Sequence, residues 1–405
     1  MSEYSDLSKE LGEEGSMLPN RREFLKMTGA AGSAAMIGNP ASADVDGSMV
    51  PDHQDKPEVR IVGTGGTIAS TQEAADDGGY SLSEQAEAIV ESVPILDEFA
   101  DISFSQPVQK PSPFLTAEDF VSVSKDIMRA AEDGVDGIIV THGTDAIEED
   151  AFFQDVVLDL DIPVCFVGAM RAADAISADG PANLLSAVRV CTREEFHLDS
   201  EPSGVYVVMN ETILAARDAR KTHTSRVDTF KSEFAGPIGV LDDGEIVLYR
   251  EPGSYTANLP YHNLDAVSDQ NVPIAGTGAG HDAYILEQAM DGEYEVDGIV
   301  VETTGNGGTQ PDIYSATSEA AEMGIPVGTS TRVYWGAMGA GPYSDDEPGT
   351  PVSTEDIPAW NARLLMMVAL TATDGHPAID SDLEMFRKAV IESKYGNEGV
   401  TYSSL

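Results

Sequence analysis

The chain has 405 residues, 41% of them hydrophobic, which is material for about two ordinary domains at roughly 100–200 residues each. Its 70 acidic residues against 23 basic ones leave a net charge of −47, which repels nucleic acid and anionic membranes and excludes both as partners. The acids are interleaved with periodic apolar segments rather than blocked together. The expectation is therefore a folded, halophilic-type protein with a dense acidic surface, not a disordered chain.

Near the N-terminus, Arg21 and Arg22 precede Phe24, Leu25 and Lys26, and a short Gly/Ala-rich stretch leads to Ala41-Ser42-Ala43. This pattern resembles the twin-arginine export signal, with cleavage near Ala43. The stretch is too short and too weakly apolar for a permanent anchor, so the mature chain is expected outside the cytoplasm and free of the membrane. Residues 1–43 read as signal and 44–57 as a polar linker.

From Glu58 onward, apolar runs alternate with helical segments. Val59–Val62 reads as a strand, and 116–131 as a helix with Phe120, Val123, Ile127 and Ala130 on one face. Gly137–Thr141 is a buried strand, 146–160 a helix, and 163–168 and 204–210 are further buried strands. Residues 241–270 carry polar, hairpin-like strands with Pro and Gly and read as an interdomain bridge. A second alternation follows, with strands at 272–276, 297–308 and 325–331 and helices at 312–323, 358–371 and 380–393. The fold class expected is α/β: a doubly wound, mostly parallel sheet over 58–240, then a smaller α/β domain over 271–405. Cys165 and Cys191 show no metal-ligand spacing; Cys165 lies in an apolar run and reads as a buried structural thiol, with a disulfide left open.

Residues 61–70, IVGTGGTIAS, end a strand in a glycine loop that carries Thr67. The loop lacks the third glycine of a dinucleotide fingerprint and the Gly-Lys pair of a phosphate loop. A second strand ends in IIVTHGTDAIEED, placing Thr144 and Asp145 at another turn. Open α/β sheets bind ligands at the carboxyl edge, so these hydroxyls and this carboxylate suit acyl transfer on a small polar substrate. The same threonines would equally serve as helix caps.

Four blocks in order decide between these readings: TGGTIA (64–69), THGTDAIEE (141–149), VGAMRAADAISADGPANLLSAV (167–188) and KTHTSRVDTFKS (221–232). Together with GNGG (305–308) they resemble the L-asparaginase family, over about 58–395. The resemblance implies conversion of asparagine to aspartate and ammonia through a threonine acyl-enzyme. It further implies a homo-oligomer, a dimer or tetramer, with no metal or organic cofactor. It implies Thr67 as nucleophile, Tyr80 as its activator on the following loop, and Thr144 as the group that polarises the amide or positions water. Asp145 would take the α-amine of the substrate and Ser112 its α-carboxylate.

The sequence departs from the family pattern at Ile162-Pro163, where a lysine paired with the second threonine is expected. Lys110, two residues from Ser112, is the candidate replacement amine, since both would share one face of an extended segment. Pro113 replaces a polar contact, and no one of Asp345, Asp346 and Glu347 aligns clearly as the acid that completes a neighbouring site. Three alternatives follow: a glutaminase-asparaginase, a non-catalytic amino-acid-binding homologue, or an ammonia-supplying transamidation subunit, against which the export signal argues.

Overall fold

The computed structural model describes residues 56–65, 93–199, 201–259, 263–291, 295–338, 350–372 and 382–392. The export signal, Thr67, Tyr80 and residues 345–347 lie outside the described residues.

An eight-stranded sheet organises the first lobe. Its strands are β1 (Glu58–Gly63), β2 (Asp101–Ser105), β3 (Gly137–Thr141), β4 (Val164–Val167), β5 (Val205–Met209), β6 (Thr212–Ala215), and the pair β9 (Gly239–Asp242) and β10 (Glu245–Leu248). The spatial order is β10-β9-β6-β5-β4-β3-β1-β2, with β1 to β5 parallel and β6, β9 and β10 joined antiparallel. A two-stranded ribbon of β7 (Arg220–Lys221) and β8 (Phe230–Lys231) stands apart from it. The hairpin-like strands expected in the bridge are β9 and β10, and they join this sheet. Their two-residue turn uses Asp243 and Gly244, both with positive φ, the backbone a tight hairpin needs.

Period-two alternation places each strand residue on one of two buried faces. Ile138, Val140, Val164, Phe166, Val205 and Val207 face the core formed with α1 (Ala117–Glu132) and α2 (Ile147–Val157). Ile139, Cys165, Val167, Tyr206 and Val208 face the core under α3 (Gly180–Cys191). Sheets covered on both faces read as continuous apolar runs, which is what the sequence shows here. Gly137 lets α3 sit close on β3, since a Cβ there would lie 2.6 Å from Cys191 Cβ. Cys165 and Cys191 are both buried free thiols.

After β10 the chain runs through a short helix α4 (Leu264–Ser268) to the second lobe. There β11 (Ile274–Gly276), β12 (Ile299–Thr303), β13 (Val327–Thr331) and β14 (Val352–Ser353) form a parallel four-stranded sheet in that order. Helices α5 (Tyr284–Asp291) and α6 (Pro311–Glu322) share one core with it. On its other side are α7 (Ala359–Ala372) and α8 (Asp382–Glu392). Helix α7 is buried on nearly every side, as a central helix must be, because it packs on both α2 and the small sheet and joins the lobes through one core. The mostly parallel α/β architecture with a separate smaller parallel sheet is the fold class expected. No described helix is long and apolar enough to cross a membrane.

Asp155 of α2 is buried beneath this assembly. Its Oδ1 accepts from the Val205 amide at 3.1 Å and its Oδ2 from the Thr256 hydroxyl at 2.8 Å. Burial pushes its pKa up to about 6 although those hydrogen bonds pull it down. The unfolded chain releases this proton near pH 3.8, so between there and pH 6 the folded state binds more protons than the unfolded state. Its contribution to stability is therefore full below pH 3.8 and declines as pH rises through 6, by about 3 kcal/mol in all. Asp155→Asn should remove that slope, seen as a wild-type minus variant difference in urea midpoints that changes between pH 4 and 6 and is constant above pH 7.

Candidate active site

The two strand tips singled out in the sequence are neighbours. Gly63 at the end of β1 stands opposite Thr141 at the end of β3, and Thr64 donates through both its amide and its hydroxyl to Thr141 O, each at 3.0 Å. Gly65 then takes a positive φ of 99°, which turns the chain away from the strand direction two residues before Thr67.

The tip of β3 continues as His142-Gly143-Thr144-Asp145 into the N-terminus of α2. Thr144 is buried, and Gly168 at the end of β4 fits against it: a Cβ there would come within 2.9 Å of both Thr144 Cγ2 and His142 O. Below the turn, His142 Nε2 lies 3.2 Å from Asp150 Oδ2, both fully buried. Gln154 donates to Asp150 Oδ1 at 2.8 Å and accepts from Ser124 of α1 at 2.7 Å. This buried chain ties the turn to two helices, so Thr144 sits on a rigid support.

Ser112, also buried, begins a short helical turn, and its Oγ accepts from the Asp145 amide at 3.3 Å. Ser112, Thr144 and Asp145 are thus brought together at one sheet edge. The amine expected to be missing is present. Lys221 Nζ donates to Thr144 Oγ1 at 2.8 Å and to Asp145 Oδ1 at 2.5 Å. Its side chain is 16% exposed, so the ammonium is largely withdrawn from water.

Two expectations are corrected by this. Ile162 precedes β4 at the amino edge of the parallel sheet and packs against the first core, so a lysine there would point away from the carboxyl edge that holds Thr144. Lys110 is not the substitute. Its Nζ is held by both oxygens of Asp119, at 2.7 and 2.8 Å, where Asp119 also accepts from the Thr116 amide at the start of α1. Sequence reasoning passed over Lys221 although it opens the KTHTSRVDTFKS block.

A small cavity of about 30 Å³ lies between the lobes, lined by Arg220, Ser232 and Asp356 among others. It has room for about one water and not for an amino acid. No cluster of metal ligands occurs among the described residues.

Residues 58–254 match the family model "Asparaginase, N-terminal" and residues 271–381 match "Glutaminase/Asparaginase C-terminal domain". The chain belongs to the asparaginase family. It is 34% identical to L-asparaginase 2 of Escherichia coli over 319 residues, covering 78% of this chain and 90% of that protein. It is 32% identical to a probable periplasmic L-asparaginase of Haemophilus influenzae, covering 84% and 96%. The crystal structure of a probable cytoplasmic L-asparaginase from Campylobacter jejuni is similar at a TM-score of 0.71 and 32% identity, covering 83% of this chain and 99% of that one. Asparaginase relatives therefore carry both compartment labels.

Proposed function

We propose that this asparaginase hydrolyses L-asparagine to L-aspartate and ammonia with Thr67 as nucleophile. The Thr67 hydroxyl attacks the side-chain amide carbon, its proton leaves with the amine as ammonia, and water then cleaves the resulting ester to release aspartate. The observation that carries the reading is the buried Thr144 hydroxyl bonded to the Lys221 amine at 2.8 Å, beside the strand tip that leads to Thr67. With Lys221 donating to its oxygen, the Thr144 proton is free to point outward, toward a substrate amide or the second-step water. Asp145 keeps a second carboxylate oxygen for the substrate ammonium, and the amide-bonded Ser112 hydroxyl can donate to the α-carboxylate. Tyr80 is assigned to the activation of Thr67.

The case for a binding protein without turnover rested on a missing amine, and Lys221 removes that ground. Ammonia release from asparagine in molar salt is expected for the wild type and should vanish in Thr67→Ala, with glutamine measured in parallel for its rate. Release undiminished in that variant would rule out the nucleophile assignment. We further read the working unit as a homo-oligomer of an exported mature chain. Phe234, Val333, Tyr334 and Trp335 are exposed, and an exposed apolar patch of this kind supports association between copies.

A further inference from the structure

Lys221 belongs to a two-residue strand in a two-stranded ribbon outside both main sheets. Such a ribbon is marginal by itself in water, and the lysine stem has four rotatable carbons. Something must therefore fix the lysine backbone against the tip of β3. That contact comes from α2. Glu148, in its first turn, accepts the Lys221 amide on Oε2 at 2.6 Å. Glu148 follows Thr144 by four residues, so one helix start presents the hydroxyl and also grips the backbone of the residue whose amine meets it.

The surroundings are built for this contact. Burial raises the Glu148 pKa, while Arg220 and the Lys221 amide and ammonium pull it back down. Glu149 beside it and Tyr334 from the second lobe also feel its charge. Arg220, itself buried, donates to Arg217 O at 3.1 Å and Ala219 O at 2.9 Å, which stiffens the chain entering β7.

We propose that Glu148 is a positioning residue for amide hydrolysis: its carboxylate anchors the Lys221 amide and thereby places the Lys221 amine on Thr144. The assignment rests on the reading of Lys221 and Thr144 as a working pair. Glu148 acts through Lys221 rather than on the substrate, so its removal should lower kcat and leave KM nearly unchanged.

Glu148→Ala is expected to reduce kcat for asparagine by roughly 10- to 100-fold, the scale of an ångström of misplacement, with KM within about twofold. Glu148→Gln keeps an acceptor oxygen at the same reach and should recover most of the wild-type kcat. Glu148→Asp keeps the charge but withdraws the acceptor, and should resemble the alanine variant. In a Lys221→Met background, Glu148→Ala should change kcat less than about twofold, because the amine it positions is gone. If the alanine variant does not fold, the Gln and Asp variants decide: a high kcat for Gln with a low one for Asp supports the assignment. Equal kcat values for Gln and Asp would overturn it, as would a Glu148→Ala loss that persists in full on Lys221→Met. Wild-type protein that releases no ammonia would sink the amidohydrolase reading and this assignment with it.

Discussion

Lys221→Met is expected to lower kcat for asparagine by roughly 10²–10⁴-fold, a barrier increase of about 3–5 kcal/mol, with the fold intact. Methionine keeps the length of the side chain and its apolar stem but removes every donor. Thr144 Oγ1 then loses its 2.8 Å partner and turns its proton elsewhere, so neither the amide nor the water is met by an oriented hydroxyl. Stability should change little. The Lys221–Asp145 pair joins a largely buried ammonium to a carboxylate that is 58% exposed, and pairs of that kind contribute on the order of 0–1 kcal/mol. Thermal midpoints and steady-state kinetics on the same preparation separate the two effects. A variant that retains full kcat would show that Lys221 is a structural ion-pair partner and that its orienting of Thr144 plays no part in the reaction.

The largest loss of stability is expected at the seam between lobes. Arg217 is 2% exposed and makes two parallel bonds to Asp356 of the second lobe, Nη1 to Oδ2 and Nη2 to Oδ1, both 2.8 Å. Asp218 adds a contact at 3.1 Å and is itself held by Arg250 at 3.0 Å. Burial opposes the guanidinium charge, and the two carboxylates more than offset it, holding the Arg217 pKa above its ordinary value. Asp356→Ala removes the bidentate partner and leaves a buried cation short of one counter-charge. Truncating one side of a buried pair costs about 3–5 kcal/mol, and the surviving Asp218 contact sets this case near the lower figure. The double variant Arg217→Met with Asp356→Leu removes the stranded charge as well and should recover much of the loss. Urea unfolding of the singles and the double measures the coupling directly. Single and double variants of equal stability would mean that no charge is stranded and that the seam does not depend on this pair.

The core strands were legible because each is a short apolar run bounded by Gly, Pro or polar residues: β3, β4, β5, β12 and β13 lie within runs read from the sequence, and β1 extends one residue beyond its run at each end. Helix α1 was legible from its one-sided apolar face. Helix α3 was not picked out as a helix, although it opens with a Gly-Pro pair and continues in small and apolar residues; its inward face is defined by its packing across β3, β4 and β5. Strand β6 was missed because its turn is Asn210-Glu211, where two non-glycine residues adopt positive φ. A glutamate there carries no hairpin signal in the sequence, and the pairing of β6 with β5 on one side and β9 on the other compensates. Helix α2 ends at Val157, earlier than the run to Leu160 implied, where Leu158 is already extended.

By itself, the sequence determined that the chain is a two-lobed α/β protein with a strongly acidic composition, and that Thr144 and Asp145 follow a strand tip. Those properties are local, since they follow from periodicities and turn chemistry within a few residues. The partner of Thr144 was decided only by tertiary structure. Lys221 is 77 residues away, on a ribbon whose own sequence says nothing about where it docks, and its backbone amide is bonded by the half-buried Glu148 of α2. Ile162 and Lys110 looked nearer along the chain, but one lies at the opposite edge of the sheet and the other is already neutralised by Asp119. Chain proximity does not fix which charges meet; the packing of whole elements does.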